Sequence, residues 1–308
     1  MKKISILTPC YNEEENVDEL YERIRAAMSA TGHEYEHIFI DNASTDGTVE
    51  RIRLLAEKDK RVGAILNTRN FGHIRSPYYG LLQCQGQAVI AMASDLQDPP
   101  ERIPEFIQKW EEGYKVVIGV KSKSQETGLL FLLRTLYYRV LRSLSDVELI
   151  ENFTGFGLYD QKVIGLLRQF DDPYPYFRGQ IADLGFPIAK IDFTQPRRKR
   201  GLSKNNFYTL FDLAMLGVTG YTKIPLRLAT MLGFAAAALS FLIGMSYLIY
   251  KLANWYNFTL GSAPVVIGLF FLGSIQLIFL GIVGEYIGAI YTQVIHRPLV
   301  IEKERINF

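Results

Sequence analysis

Residues 91 to 101 read A-M-A-S-D-L-Q-D-P-P-E, and the fold follows from how that stretch is parsed. Residues 88 to 93 form a short apolar run suited to a buried strand, which breaks into Ser94, Asp95, Leu96, Gln97 and Asp98 before a Pro-Pro stop. Oxygen ligands therefore collect at a strand exit. In an open α/β sheet ligands bind in the crevice beyond the carboxyl ends of the strands, so Asp95 and Gln97 are candidates to hold a hard cation beside a phosphorylated substrate. Asp98 stands where a helix N-cap belongs, with Pro99 at the first helical position, and is expected to cap the next helix. Asp95 and Gln97 precede that cap, so capping does not account for them.

Upstream the same grammar repeats. Residues 4 to 9 read as a strand, and from Glu14 a helical pattern places Val17, Leu20, Ile24 and Ala27 on one face. Strands are expected at 37 to 41, 62 to 66 and 115 to 120, with helices at 49 to 55, 78 to 84 and 103 to 112. Such alternation predicts an α/β fold, a mostly parallel sheet with helices on both faces. The first strand ends in Thr8, Pro9, Cys10, Tyr11, Asn12, Glu13 and Glu14, the second in Asp41, Asn42, Ala43, Ser44, Thr45, Asp46 and Gly47. Polar clusters on consecutive strand ends converge on one crevice. Asp41 comes too early to cap a helix and is expected to contact ligand, whereas Asp46 suits a cap equally well. No G-x-G-x-x-G or G-x-x-x-x-G-K-[ST] occurs, so neither a dinucleotide fingerprint nor a P-loop is supported.

A net charge of +2 over 308 residues argues against a generic polyanion or nucleic-acid binder. The two cysteines, Cys10 and Cys84, lie far apart without metal-ligand spacing, which fits a reducing compartment. The start, M-K-K-I-S-I-L-T-P, lacks the apolar core of about 7 to 15 residues that a signal peptide needs, so the globular part is not expected to be exported.

Residues 229 to 250 and 263 to 284 carry no charged side chain, and each run matches the roughly 20 residues that cross the hydrocarbon core. Two transmembrane helices are expected, at about 229 to 250 and 263 to 287. The short connection holds Trp255, Tyr256 and Phe258, which suit a membrane interface. Lys223 and Arg227 precede the hairpin, and His296, Arg297, Lys303 and Arg305 follow it, so the positive-inside rule places both ends in the cytoplasm. Residues 1 to 206 then form the cytoplasmic domain, 207 to 228 an interfacial segment, and 229 to 308 the hairpin with a cytoplasmic tail. Residues 129 to 144 carry a broad leucine-rich face that fits an interfacial helix or one packed on the sheet.

P-C-Y-N-E-E at 9 to 14, D-N-A-S-T-D-G-T at 41 to 48, R-N-F-G-H at 69 to 73, D-L-Q-D-P-P-E at 95 to 101 and R-G-L-S-K at 200 to 204 stand in order before the hairpin. In this the chain resembles the family 2 glycosyltransferases. Within them it is most similar to the polyisoprenyl-phosphate glycosyltransferases, such as bactoprenol glucosyltransferases and dolichol-phosphate mannose synthase. The resemblance implies a GT-A fold that passes a sugar, with inversion, from a nucleotide diphosphate to a lipid phosphate at the inner (plasma) membrane. It places Pro9, Tyr11, Glu13, Asp41, Asn42 and Asp95 on nucleotide-binding positions, and Asp95 and Gln97 on the metal positions. Asp95 is the catalytic candidate, and Mg²⁺ or Mn²⁺ the implied ion. Arg200 and Lys204, with Lys121, are the implied clamp on the acceptor phosphate, while Arg197, Arg198 and Lys199 are expected to face headgroups. UDP-glucose and undecaprenyl phosphate lead as substrates. GDP-mannose is the alternative donor, a non-catalytic nucleotide- or lipid-binding scaffold is the rival reading, and the class admits a homo-oligomer.

Three positions depart from the family pattern. Ala93 replaces the first acid of the usual D-x-D, Asn42 the second acid of D-D-G-S, and Gly155 to Leu158 stand where many members read G-D-F-R-L. A phosphate acceptor tolerates the loss of an acid near Gly155, because with a second pKa of about 6 it is already largely ionised at neutral pH and needs no general base.

Overall fold

The structure, a computed structural model, describes residues 2–121, 153–196, 215–217, 219, 222, 224–254, 262–295 and 297–308. Arg200, Lys204, the basic residues at 197 to 199, the 129 to 144 segment and the aromatic residues between the two apolar runs lie outside the described residues.

Eight strands form one sheet, β1 (Lys3–Cys10), β2 (Glu34–Asp41), β3 (Val62–Asn67), β4 (Ala88–Ala91), β5 (Val116–Lys121), β6 (Phe153–Asp160), β7 (Ile188–Phe193) and β8 (Glu302–Ile306), in the order β7-β5-β6-β4-β1-β2-β3-β8. The block β4-β1-β2-β3 is parallel, as is the β5–β7 pair. Three antiparallel pairings make the sheet mixed. β6 runs antiparallel between β4 and β5, and β8 antiparallel along the outer edge of β3.

Helices cover both faces, because side chains alternate along each strand. On one face Ile4, Ile6 and Ile90 meet Leu20, Ile24 and Met28 of α1 (Val17–Ser29) and Phe106 of α4 (Ile103–Glu111). On the other, Leu7, Ile40 and Val89 meet Tyr78 and Leu81 of α3 (Gly72–Gln83) and Ile164 of α5 (Gln161–Leu167). Close to this second face lies the short helix α6 (Phe177–Asp183). On the first face α2 (Thr48–Lys58) packs Ile52 and Leu55 against Phe39 and Val62.

Two long apolar helices follow, α7 (Ile224–Ala253) and α8 (Ser262–Val294), both long enough to cross a membrane and almost wholly exposed along their apolar windows. At about 1.5 Å per residue, 30 residues reach about 45 Å, more than the hydrocarbon core requires. At the base of the hairpin Tyr286 Oη of α8 donates to the Thr222 carbonyl, just before α7, at 2.7 Å, and Gln293 Nε2 ties α8 to the sheet domain through Asp172 Oδ1 at 2.9 Å. After α8 the chain re-enters the sheet as β8. The sequence E-K-E-R-I looks like a solvated tail, yet Arg53 grips Glu304 with two bonds of 2.8 and 2.6 Å and Tyr79 Oη donates to Glu302 at 2.7 Å. Charged side chains suit an edge strand, which they protect from pairing with other chains.

Candidate active site

The exits of β1, β2 and β4 lie side by side at the carboxyl end of the sheet, and the loops after β1 and β2 are bound to each other. Asn12 N–H donates to Ser44 Oγ at 2.9 Å, and Asn12 Oδ1 accepts from Thr45 N–H at 2.8 Å. Glu14 accepts from Gly47 N–H at 2.7 Å, and Glu13 N–H donates to Thr48 Oγ1 at 2.9 Å. Each of the three loops also holds one non-glycine residue in left-handed backbone: Asn12 at φ 56°, Ala43 at 61° and Leu96 at 61°. Such a conformation costs an alanine or leucine about 1 to 2 kcal/mol, and strain of this kind collects at functional sites.

Asp41 is 1% exposed, and its carboxylate accepts from both the backbone N–H and the hydroxyl of Ser44. Burial pushes its pKa up, against the pull of the Ser44 bonds. Its first task is to brace the β2 exit. Asp46 accepts from Thr48 N–H at 3.1 Å and from Glu14 N–H at 3.3 Å, joining the start of α2 to the β1 loop.

Asn42 organises the neighbouring loop. Its Nδ2 donates to Asn70 Oδ1 at 2.9 Å and to the Gly72 carbonyl at 3.1 Å, while Oδ1 accepts from Phe71 N–H at 2.8 Å and Asn67 Nδ2 at 3.3 Å. An aspartate could accept the last two bonds but could not donate the first two, which explains why an amide stands at this place. Asn42→Asp would set a carboxylate against two acceptor oxygens. The expected loss is about 2 to 4 kcal/mol, read as a fall in Tm of the detergent-solubilised protein, with Asn42→Gly lying between the parent and Asn42→Asp.

In the 92 to 99 loop, Asp95 Oδ1 accepts from Gln97 N–H at 3.2 Å, and Gln97 Nε2 reaches the Pro196 carbonyl at 3.5 Å. Asp98 does not cap a helix, contrary to the expectation from spacing. Pro99 occupies the cap position of the short turn Pro100–Arg102, with no side-chain cap, and Asp98 Oδ2 turns back to accept from Ala93 N–H at 2.9 Å. A second proline moves the helical start one residue on, so the carboxylate is left to close its own loop. At 5% exposure the Asp98 carboxyl is pushed up to about 6, by burial first and by the charge of Asp95, while Lys121 pulls it down. Asp95, Asp98 and Lys121 therefore form one electrostatic group, in which Lys121 comes from the end of β5.

A cavity of about 280 Å³ opens beside this group, lined by Pro9, Ala93 and Asp98 together with His73, Thr154 and Arg178. The Thr154 Oγ1 atom is buried without a hydrogen-bond partner. Partial burial lowers the His73 pKa, and the charge of Arg178 lowers it further. None of these three stands out as a site residue in the sequence. His73 closes the R-N-F-G-H motif, whereas Thr154 and Arg178 carry no local signal and arrive through β6 and α6.

Where the family pattern has an acid and an arginine, the backbone strains the first and blocks the second. Gly155 sits at φ +104°, and a Cβ on Gly157 would lie 2.5 Å from the Val117 carbonyl oxygen. For a cation, the donors are the carboxylates of Asp95 and Asp98 on one loop and the Gln97 amide. Among the described residues no cluster of three His, Cys, Asp or Glu side chains forms. That set fits a hard ion of the Mg²⁺ type, which takes one or two carboxylates and draws its other ligands from substrate phosphate and water.

Residues 5–166 match the model of glycosyl transferase family 2, and residues 224–290 match that of the GtrB C-terminal hairpin. An uncharacterized glycosyltransferase of Bacillus subtilis, YkcC, is 36% identical over 96% of this chain and 92% of its own length. A bactoprenol glucosyl transferase of Shigella phage SfV is 33% identical over 98% of both chains. Among solved structures, glucosyl-3-phosphoglycerate synthase of Mycobacterium tuberculosis, in complex with Mn²⁺, UDP-glucose and phosphoglyceric acid, is 19% identical with a TM-score of 0.46, covering 71% of this chain and 78% of that one. The cavity at the strand exits thus belongs to a chain of glycosyl transferase family 2, a glycosyltransferase whose α/β domain carries a GtrB-type hairpin at its C-terminal end.

Proposed function

We propose that the protein transfers a hexose, foremost glucose from UDP-glucose, with inversion to a polyisoprenyl phosphate, foremost undecaprenyl phosphate, at the cytoplasmic face of the membrane. The observation that carries this reading is the full-length likeness to the phage bactoprenol glucosyl transferase, through both the strand-exit motifs and the hairpin.

The nucleotide lies over the β1 and β2 exits, against Pro9, Tyr11 and Glu13, with Asp41 and Asn42 holding the loops beneath it. Asp95 and Gln97 would hold Mg²⁺ or Mn²⁺. The bound ion supplies charge stabilisation to the departing diphosphate without proton transfer. Asp95 fixes the position of that charge, since its Oδ1 is already anchored to its own loop. The acceptor's phosphate oxygen attacks the sugar's anomeric carbon on the face opposite the leaving diphosphate, and no general base is needed. Arg200, Lys204 and Lys121 hold the acceptor phosphate near the anionic donor. A panel of labelled UDP-glucose, UDP-N-acetylglucosamine and GDP-mannose, each with undecaprenyl phosphate, tests the assignment. Lipid-soluble label is expected from UDP-glucose, and its appearance from GDP-mannose alone would overturn the donor.

A charge-assisted contact to the lipid phosphate is worth more than a charge facing headgroups. Arg200→Ala and Lys204→Ala are accordingly expected to slow transfer by at least ~10-fold, with nucleotide affinity unchanged. Arg197→Ala and Arg198→Ala are expected to stay within about 3-fold of the parent, a difference that salt removes. Initial rates against lipid-phosphate concentration decide between a clamp and a diffuse patch.

Both ends of the hairpin are cytoplasmic in this reading, from the flanking positive charges, and the return of β8 to the sheet that contains β1 supports their lying on one side. Tags at the two chain ends should resist protease added outside intact cells, while a cleavage site near Asn257 should be cut. Cleavage of either terminal tag would overturn the hairpin reading.

A further inference from the structure

Two arginines six residues apart, Arg69 and Arg75, and a third far along the chain, Arg297, meet where the second long helix leaves its apolar span. Arg75, on the first turns of α3, donates through Nη2 to the Pro298 carbonyl, just beyond α8. Arg69 and Arg75 both lie over the ring of Phe71, with guanidinium carbons 4.1 and 5.4 Å from its centroid. Arg297 directly precedes Pro298, whose carbonyl Arg75 holds; burial and then the charge of Arg69 lower the Arg75 pKa, Tyr174 raises it, and the charge of Arg297 lowers it again. Several other arginines among the described residues hold carboxylates, as Arg23 holds Glu101, Arg53 holds Glu304 and Arg61 holds Asp59. Among the described residues no carboxylate forms an ion pair with Arg69, Arg75 or Arg297, and the Arg75 Nε atom is buried without a hydrogen-bond partner. Three like charges gathered without a counter-charge repel one another, so an anion from outside the chain is what completes them.

We propose that Arg69, Arg75 and Arg297 form a binding site for the phosphodiester headgroup of an anionic phospholipid, at the membrane surface where α8 ends. Several features point to a headgroup as the occupant. Arg297 follows α8 by three residues, Arg69 and Arg297 are exposed, and guanidinium forks match phosphate oxygens. The site also bears on the chemistry. Phe71, on which Arg69 and Arg75 lie, donates its N–H to Asn42 in the active-site loops, so a bound headgroup steadies the 67 to 72 loop from the membrane side. This inference rests on α7 and α8 being inserted in a bilayer. It does not depend on which sugar or acceptor the enzyme uses.

The test measures lipid capture directly. Full-length protein in phosphatidylcholine nanodiscs receives trace fluorescent phosphatidylglycerol, and energy transfer from the protein's tryptophans reads the lipid held against it. The parent is compared with Arg69→Gln/Arg297→Gln, which keeps the Arg75 bond to Pro298, with the triple variant that adds Arg75→Gln, and with Arg227→Gln, an exposed arginine at the start of α7 outside the cluster. The double variant is expected to lose about 5- to 25-fold in apparent affinity, the triple variant at least as much, and Arg227→Gln less than 2-fold. Tm measured alongside shows that the double variant is folded. Equal losses in the double variant and Arg227→Gln would show a diffuse field and overturn the site, as would unchanged capture in the double variant. Farnesyl phosphate, a soluble phosphomonoester, is added as competitor. Weak competition is expected, whereas displacement of the labelled lipid at lower concentration than unlabelled phosphatidylglycerol needs would make the cluster an acceptor subsite and overturn the headgroup assignment.

Discussion

Asp95→Asn is expected to lower hexose transfer by about 10²-fold or more at saturating donor, while expression, membrane insertion and Tm stay near those of the parent. The asymmetry follows from where the residue stands. Asp95 is only partly buried, at a strand exit, and its single hydrogen bond within the loop, from Gln97 N–H, can be accepted by an amide oxygen as well as by a carboxylate. Folding therefore loses little. Under the proposed mechanism the chemistry loses a negative charge at the point where Asp95 would hold a divalent ion. Ala93 supplies no acid there, and Asp98 is buried and already spends one oxygen on its own loop. Stabilisation of a departing diphosphate by a bound ion is worth several kcal/mol, and each 1.36 kcal/mol is tenfold in rate. The check is the initial rate of lipid-linked label with Mg²⁺ and with Mn²⁺, beside a thermal melt. Full activity in Asp95→Asn, or parent activity that persists in excess chelator, would remove the metal reading.

Gly157→Arg, which would place an arginine where the family pattern expected from the sequence has one, is expected to abolish folding, and even Gly157→Ala should cost about 3 kcal/mol or more. The central strand β6 is paired on both sides, with Gly157 opposite Ala91 of β4 and Ile118 of β5. A Cβ built there lies 2.5 Å from the Val117 carbonyl oxygen and 3.2 Å from the Ile118 Cα. Both are backbone atoms of a packed strand, so neither can yield as a flexible side chain would, and the strain reaches the top of the usual overpacking range. Gly165, on α5, is the control. Nothing lies within 4 Å of its Cβ position, so Gly165→Ala should raise Tm slightly through helix propensity. A Gly157→Ala protein as stable as the parent would mean that β6 is not seated between β4 and β5.

How the site came to be legible differs from residue to residue. The 91 to 101 stretch, with the exits of β1 and β2, announced a crevice because a buried strand must alternate or run apolar, and an abrupt polar cluster after it marks where the chain leaves the core to face ligand or solvent. For the same reason the strand and helix alternation through residue 120 was readable, as was the pair of long uncharged runs. Charge-free length is a local property. Family membership was readable too, since motifs lie in sequence order.

Tertiary structure decided what no local pattern encodes. Asp98 follows the strand at cap spacing, but the second proline shifted the helical start and burial turned the carboxylate inward. The antiparallel place of β6 between β4 and β5 depends on which edge was open when it paired, and Gly157 is small because of a carbonyl 40 positions earlier in the chain. β8 looks like a charged tail, and becomes a strand only through the free edge of β3 and the partners Arg53 and Tyr79. His73, Thr154 and Arg178 share one cavity, and Arg69, Arg75 and Arg297 one cluster, because side chains of different elements meet only once the sheet has placed those elements. Periodicity in a sequence fixes which face of an element is buried, while the identity of the neighbour across that face is a property of the packed whole.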